Sequence, residues 1–160
     1  MLNISAEQKR AIAPAWLELM LRTYPRQSMQ FMLHETDCFR NPVGQTLKEG
    51  IPRLVEELFG EMDSTRIRQT LEDIVRIRAV QNFSARESVG FVFLLKGIFQ
   101  QKLSSDAATR LELDRRIDEM ALIAFDLYAK CRAKISDIQV NEARRRVALL
   151  QRIYSEVEGR

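Results

Sequence analysis

Between Gly97 and Gly159 the chain contains neither glycine nor proline. These two residues are the strongest local punctuators of secondary structure, so a run this long without them favours uninterrupted helix. Two apolar stripes mark it. Leu113, Ile117, Met120, Ala124, Leu127 and Cys131 recur at 4-3-4-3-4 spacing, and Val140, Ala143, Val147, Leu150, Tyr154 and Val157 at 3-4-3-4-3. Each spacing places its residues on one helix face. The stripes do not share a register, so the surface being packed against changes near residues 136–139. The pattern predicts a short turn at Ser104-Ser105-Asp106, then a near-continuous helix whose first half packs into its own domain. Its second half, an extended C-terminal helix over 135–158, offers Val140, Ala143, Val147, Leu150, Tyr154 and Val157 as a candidate interface.

Upstream, helices are marked by their starts. Ser5-Ala6-Glu7-Gln8 has capping-box spacing, and Ile12, Trp16, Leu19 and Met20 keep helical period until Tyr24-Pro25. A short segment follows around residues 27–33. In "FRNPVG", at 39–44, Pro42 pushes Asn41 out of the α region, and asparagine is among the best N-cap residues. Asn-Pro therefore reads as an N-cap followed by proline at the first helical position. Gly44 in the first turn allows another group to approach the backbone closely, and Phe39 is expected to plug the core. That helix runs toward Phe59, with Gly50 and Pro52 expected to kink or interrupt it. Asp63-Ser64 caps the next, which continues to about Gln81, and Ser84-Ala85-Arg86-Glu87 is a second capping box. It opens "SVGFVFLLKGIF", whose residues 91–95 alone suit a buried strand. The box and the helical neighbours decide for a helix, apolar nearly all round and hence central. The fold class expected is all-α, a helical bundle with a long C-terminal helix.

With 160 residues, 46% hydrophobic and 29% charged, the chain has the size and composition of one globular domain rather than a disordered segment. The net charge of +3 is localised. Residues 132–160 hold seven Lys/Arg against four Asp/Glu, which leaves the preceding segment balanced. That excess mildly favours an acidic partner surface. Arg144, Arg145 and Arg146 spread around the helix at about 100° each, so they form no single nucleic-acid-binding face, and a nucleic-acid partner is not expected. No basic leader precedes an apolar run, and no apolar run reaches the roughly 18 residues of a membrane span. Cys38 and Cys131 form no CxxC pair. A cytoplasmic protein with no membrane partner is the expectation.

Catalytic and cofactor chemistry lacks its usual residues. His34 is the single histidine, without a carboxylate or thiol at metal-ligand spacing apart from Cys38, and GxGxxG, GKS/T and HExxH patterns are absent. The pair His34 and Cys38 at i, i+4 has no oxyanion-donor signature beside it. Neither an enzyme nor a cofactor or metal is expected. What stands out instead is polar residues in apolar surroundings. Lys96 follows five apolar residues, and its stem suits lying along the core while the ammonium meets water, a carboxylate or an anionic ligand. Arg40 beside the Asn41-Pro42 helix start suits an anion. Arg76 and Arg78 face different sides of their helix, so at least one points inward near Gln81 and needs a partner. Arg40, Asn41, Gly44, Arg78, Gln81 and Lys96 are therefore the candidate ligand or anion contacts.

Three stretches together carry a resemblance: "DCFRNPVG" at 37–44, "RIRAVQNFSARESVGFVFLLK" at 76–96 and "FDLYAKCRAKISDIQVNEARRR" at 125–146. From about Trp16 to Leu150 the chain resembles the N-terminal domain of the RsbT co-antagonist (RsbRD) family. The resemblance implies an all-α, globin-like fold without haem, in which residues 1–160 form one sensory domain. It further implies a non-enzymatic sensory or regulatory module that dimerises and acts through protein–protein contacts. In the co-antagonists such domains precede a STAS domain within stressosome complexes controlling a stress sigma factor. No STAS-sized segment follows here, so the expectation is a stand-alone relative or sensor whose C-terminal helix contacts a second regulatory protein. The alternative is a binding protein for a fatty-acid-like anion, with Met20, Met29, Met32, Phe91, Phe93 and Met120 lining a globin-type cavity and Lys96 or Arg40 at the head group.

Overall fold

The computed structural model describes residues 4–103 and 105–158. Their elements, in order, are α1 (Ala6–Leu21), α2 (Arg26–His34), α3 (Pro42–Phe59), α4 (Ser64–Val80), α5 (Ala85–Lys102) and α6 (Ala107–Glu158). The fold is all-α, and no strand occurs among the described residues. No helix among them is long and apolar enough to cross a membrane. The chain divides within α6 into two units, one ending at Tyr128 and one beginning at Ala129.

The helix starts follow from local chemistry. Ser5 and Ser84 each accept the N3 backbone N–H, while Gln8 and Glu87 reach back to the cap N–H, so two orphan donors are satisfied at each end. Asp63 accepts from Thr65 and Arg66 at the head of α4. Asp106 accepts from Thr109 at 2.7 Å at the head of α6; Ser104, in the turn expected before it, lies outside the described residues. The α4 end is a Schellman motif: Phe83 N–H bonds Arg78 O at 3.1 Å and Asn82 N–H bonds Ala79 O at 3.3 Å. Asn82 sits at φ 61°, in the left-handed region that asparagine tolerates better than most residues.

In the first unit, α1 packs on α5 and α3, α3 also packs on α4, α4 packs on α5, and α2 packs on α3. Trp16 is fully buried; its indole N–H donates to Phe91 O at 2.7 Å, and the two rings stack 5.8 Å apart. Around them lie Ile12 and Met20 of α1, Leu54 of α3, Leu71 and Ile74 of α4, and Val92 and Leu95 of α5, all with no exposed surface. Each such side chain contributes about 1.5–3 kcal/mol relative to remaining exposed. The first stripe of α6 joins this core through Leu113, Ile117, Met120, Ala124 and Leu127. Gly50 sets how closely α3 and α4 approach, because a Cβ there would lie 3.0 Å from Ile74 Cδ1 and 3.3 Å from Thr70 Cγ2.

Four expectations change. The first helix ends at Leu21, not at Tyr24, because Thr23 and Tyr24 turn back by bonding Met20 O and Leu21 O. Phe39 does not plug the core: it is 93% exposed, held outward where Asp37 Oδ1 accepts its N–H. The α5 helix is buried on one side only, since Phe93 and Gly97 are exposed. Finally, α3 is one uninterrupted helix, with Pro52 inside it.

In the second unit, α6 continues as helix through residues 136–139. Every residue from 136 to 157 is exposed, including the apolar Ile138, Val140, Val147, Leu149, Leu150, Ile153, Tyr154 and Val157.

Candidate functional site

Where α1 ends, α2 and α3 meet and α4 stops, the first unit carries a cleft of about 430 Å³. Its polar lining comes from Tyr24, Gln27, Ser28, Arg40, Asn41 and Gln81. Phe31, Met32, Pro42 and Val43 supply the apolar part. Three of the residues singled out in the sequence, Arg40, Asn41 and Gln81, therefore line one cleft.

Asn41 is the hinge of this region. It is 3% exposed, and its amide is engaged on every side: Nδ2 donates to Met32 O and Glu35 O, each at 3.0 Å, and Oδ1 accepts from Gly44 N–H at 3.0 Å. One side chain thus closes the end of α2 and caps the start of α3. Gly44 is required by the same arrangement, because a Cβ there would fall 2.4 Å from both Asn41 Oδ1 and Nδ2. Both are placed as architecture of the cleft wall. Arg40 is exposed and pairs with Glu35 at 3.4 Å.

Arg78 is the inward-facing arginine, with no exposed surface, whereas Arg76 points out to Asp73 at 2.8 Å. Its Nη1 donates to Glu87 O at 2.6 Å and its Nη2 to Thr23 Oγ1 at 2.6 Å, joining α4, the α1 end and the first turn of α5. The guanidinium lies 4.9 Å from the Phe83 ring centroid, 5.2 Å from Tyr24 and 5.5 Å from Phe91. Three aromatic faces and the C-terminal dipole of α4 partly compensate a charge that has left water. No carboxylate among the described residues lies within ion-pair distance of it. Burial pulls its pKa down, against smaller opposing effects of Tyr24 and Glu87; arginine nevertheless stays charged. Tyr24, in turn, is 8% exposed, and burial pushes its hydroxyl up, with the charge of Arg78 and a side-chain hydrogen bond between the two partly offsetting this. The phenol is neutral at ordinary pH.

Lys96 stands apart from this cleft. Its ammonium bonds Asp118 Oδ1 of α6 at 2.8 Å and sits 5.7 Å from the Phe93 ring centroid. Of the apolar residues proposed to line a globin-type cavity, Met20, Phe91 and Met120 are packed in the core, Phe93 is exposed, and only Met32 lines the cleft. His34 is exposed, its Nδ1–H donating to Gln30 O at 2.8 Å. A second cleft, about 610 Å³, lies between α1 and α3 and holds none of the residues singled out. The candidate interface residues Val140, Ala143, Val147, Leu150, Tyr154 and Val157 are all exposed on α6.

Sequence reasoning missed Tyr24, Thr23 and Phe83 as the surroundings of Arg78. Tyr24 read only as a helix end before Pro25. The available signal was a polar residue inside an otherwise apolar face of α4, which demands partners from other elements.

Comparison with known proteins identifies a family. The family model described as the RsbT co-antagonist protein rsbRD N-terminal domain matches residues 10–143. An uncharacterised protein of Archaeoglobus fulgidus is 24% identical over 148 residues, covering 91% of each chain. No solved structure matches. The match to the family model spans most of the chain, and the chain therefore belongs to the RsbT co-antagonist protein rsbRD N-terminal domain family.

Proposed function

We propose that this protein is a non-enzymatic sensory or regulatory module that forms a homodimer in the cytoplasm and signals to a second regulatory protein through the exposed half of α6. The observation that carries this reading is the apolar stripe Val140, Ala143, Val147, Leu150, Tyr154 and Val157, exposed along residues 136–157. Family membership supports it, because the family is described by its role as a co-antagonist of another regulator. A row of apolar side chains at 3-4 spacing is a helix seam in want of a partner helix.

The seam's composition favours a second copy in parallel. With Val140, Val147 and Tyr154 at the first heptad position and Ala143, Leu150 and Val157 at the fourth, two of the three first positions are β-branched and one fourth position is leucine, a pattern that suits two parallel strands. The flanking positions then meet as Gln139 with Arg144 and Arg146 with Gln151, so the local arginine excess brings no like charges together. The test is amide hydrogen exchange of the full chain at several concentrations. A helix without a seam partner frays, so exchange within residues 136–157 is expected to slow as concentration rises. Exchange there that is fast and independent of concentration would remove the seam from the self-association.

A further inference from the structure

We infer that α6 carries, beside the seam, a second docking face that takes an acidic amphipathic helix, with its apolar side on Leu149 and Ile153 and its carboxylates on Arg145, Arg146 and Arg152. This face belongs to the second regulatory protein of the proposed function, on which the inference rests.

Two observations carry it. The first is apolar surface that the seam does not use. Ile138, Leu149 and Ile153 are 63%, 58% and 57% exposed and belong to neither apolar stripe of α6. At about 100° per residue, Ile138 and Ile153 lie within about 40° of Leu149, whereas the seam residues centre about 130° away from it. A parallel two-helix seam covers its first and fourth heptad positions. Leu149 falls at the third and Ile153 at the seventh, so pairing through the seam leaves this second face open. The second observation is charge. Arg145, Arg146 and Arg152 are exposed and take part in no ion pair among the described residues. All three lie within about 60° of Leu149 around the helix. Glu142 and Glu156 stand at the two ends of the face, so its middle turns are wholly basic. A helix with carboxylates on both sides of an apolar stripe meets these guanidiniums while covering Leu149 and Ile153.

The same charges disfavour other occupants. Two copies laid together on this face bring arginine against arginine in either direction. Parallel, each meets its own counterpart; antiparallel about Leu149, Arg146 meets Arg152. A lipid surface calls for a broad apolar face. Here three aliphatic residues are spread over about four turns, with Glu142 and Glu156 along the same line.

The experiment uses the full chain and a synthetic helical peptide with leucines at i, i+3, i+4 and i+7 and glutamates along both flanks. Fluorescence anisotropy reads its binding, and sedimentation equilibrium reads the mass of the complex. One peptide is expected to bind saturably per chain, on a protein that remains two chains. Exchanging the peptide's glutamates for lysines, or its leucines for alanines, should weaken binding about tenfold or more. The double variant Leu149→Gln, Ile153→Gln should lose binding to a similar extent and still sediment as two chains. Arg145→Gln should weaken binding severalfold. Arg144→Gln removes the same charge about 140° from Leu149 and should leave it unaltered. The inference is overturned if a dimeric wild type does not bind the peptide saturably, if the Leu149, Ile153 variant binds as the wild type does, or if Arg144→Gln weakens binding as much as Arg145→Gln. It is equally overturned if the peptide splits the dimer, if the Leu149, Ile153 variant is monomeric, or if phosphatidylglycerol vesicles bind in preference to the peptide. A monomeric wild type is the separate result that removes the seam, and this inference with it.

Discussion

At the scale of single residues, the corner at 39–44 is governed by one amide. Asn41 satisfies two carbonyls behind it and one N–H ahead, and Gly44 exists to make room for it. Asn41→Ala should cost about 2–4 kcal/mol, combining a lost N-cap with two stranded carbonyls. Gly44→Ala alone should cost about 2 kcal/mol, because the amide must move. Urea unfolding of the double variant should show a coupling of at least about 1 kcal/mol, since Asn41→Ala removes the three atoms nearest the new methyl. Strict additivity would show that Gly44 is kept for another reason. The cap was legible from Asn-Pro, but the reason for Gly44 was not, because spacing does not reveal which atom approaches. Phe39 was misjudged for a related reason: apolar character alone does not say which way an Asp37-directed turn points. Arg78 allows a sharper test. Lysine cannot stack flat between aromatic rings or donate from a fork, and it would carry a compact, strongly hydrated charge into the core. Arg78→Lys should therefore lower stability more than Arg78→Met, by about 1 kcal/mol or more in urea midpoints converted to free energy. The reverse order would mean that the charge itself stabilises the site.

At the scale of elements, the start of α6 is tied to the end of α3. Arg116 Nη1 donates to Leu58 O at 2.9 Å and to Gly60 O at 2.8 Å, taking up carbonyls that α3 leaves unpaired at its end. Its Nε bonds Glu112, which also holds Arg115. Hydrogen bonds from Arg115 first, then Arg116, hold the Glu112 carboxyl down at about 2 from 4.5. A depressed acid stabilises the fold above its unfolded value and loses that contribution as the pH falls. Between pH 4.5 and about 2, the wild-type urea midpoint should therefore fall more steeply than that of Glu112→Gln. Parallel curves would show that the carboxylate is not coupled to folding. Helix starts were legible because caps are local chemistry, and the continuity of α6 was legible because 107–158 contains no glycine or proline. The end of α1 was not, since Thr23 and Tyr24 leave the helix for turn bonds and a contact with Arg78 that belongs to the tertiary structure.

At the scale of the whole molecule, the two registers in α6 correspond to a change of environment. The first stripe is buried from Leu113 to Leu127 in the unit that ends at Tyr128, with Cys131 half-buried beyond it, and the second is exposed in the unit that begins at Ala129. That division was visible in the sequence because a helix cannot turn one face to two surfaces without a shift in its period. The cleft was visible only in part. Its members come from residues 24 to 81, and no periodicity links the end of one helix to the head of another.

The central claim is that the exposed stripe is a self-association seam, and sedimentation equilibrium of the wild type beside the double variant Val147→Glu, Leu150→Glu tests it most directly. The wild type should sediment as two 18.6 kDa chains and the variant as one, with the first unit still folded by the near-ultraviolet signal of Trp16. An unaltered mass in the variant, or a monomeric wild type, would contradict the account.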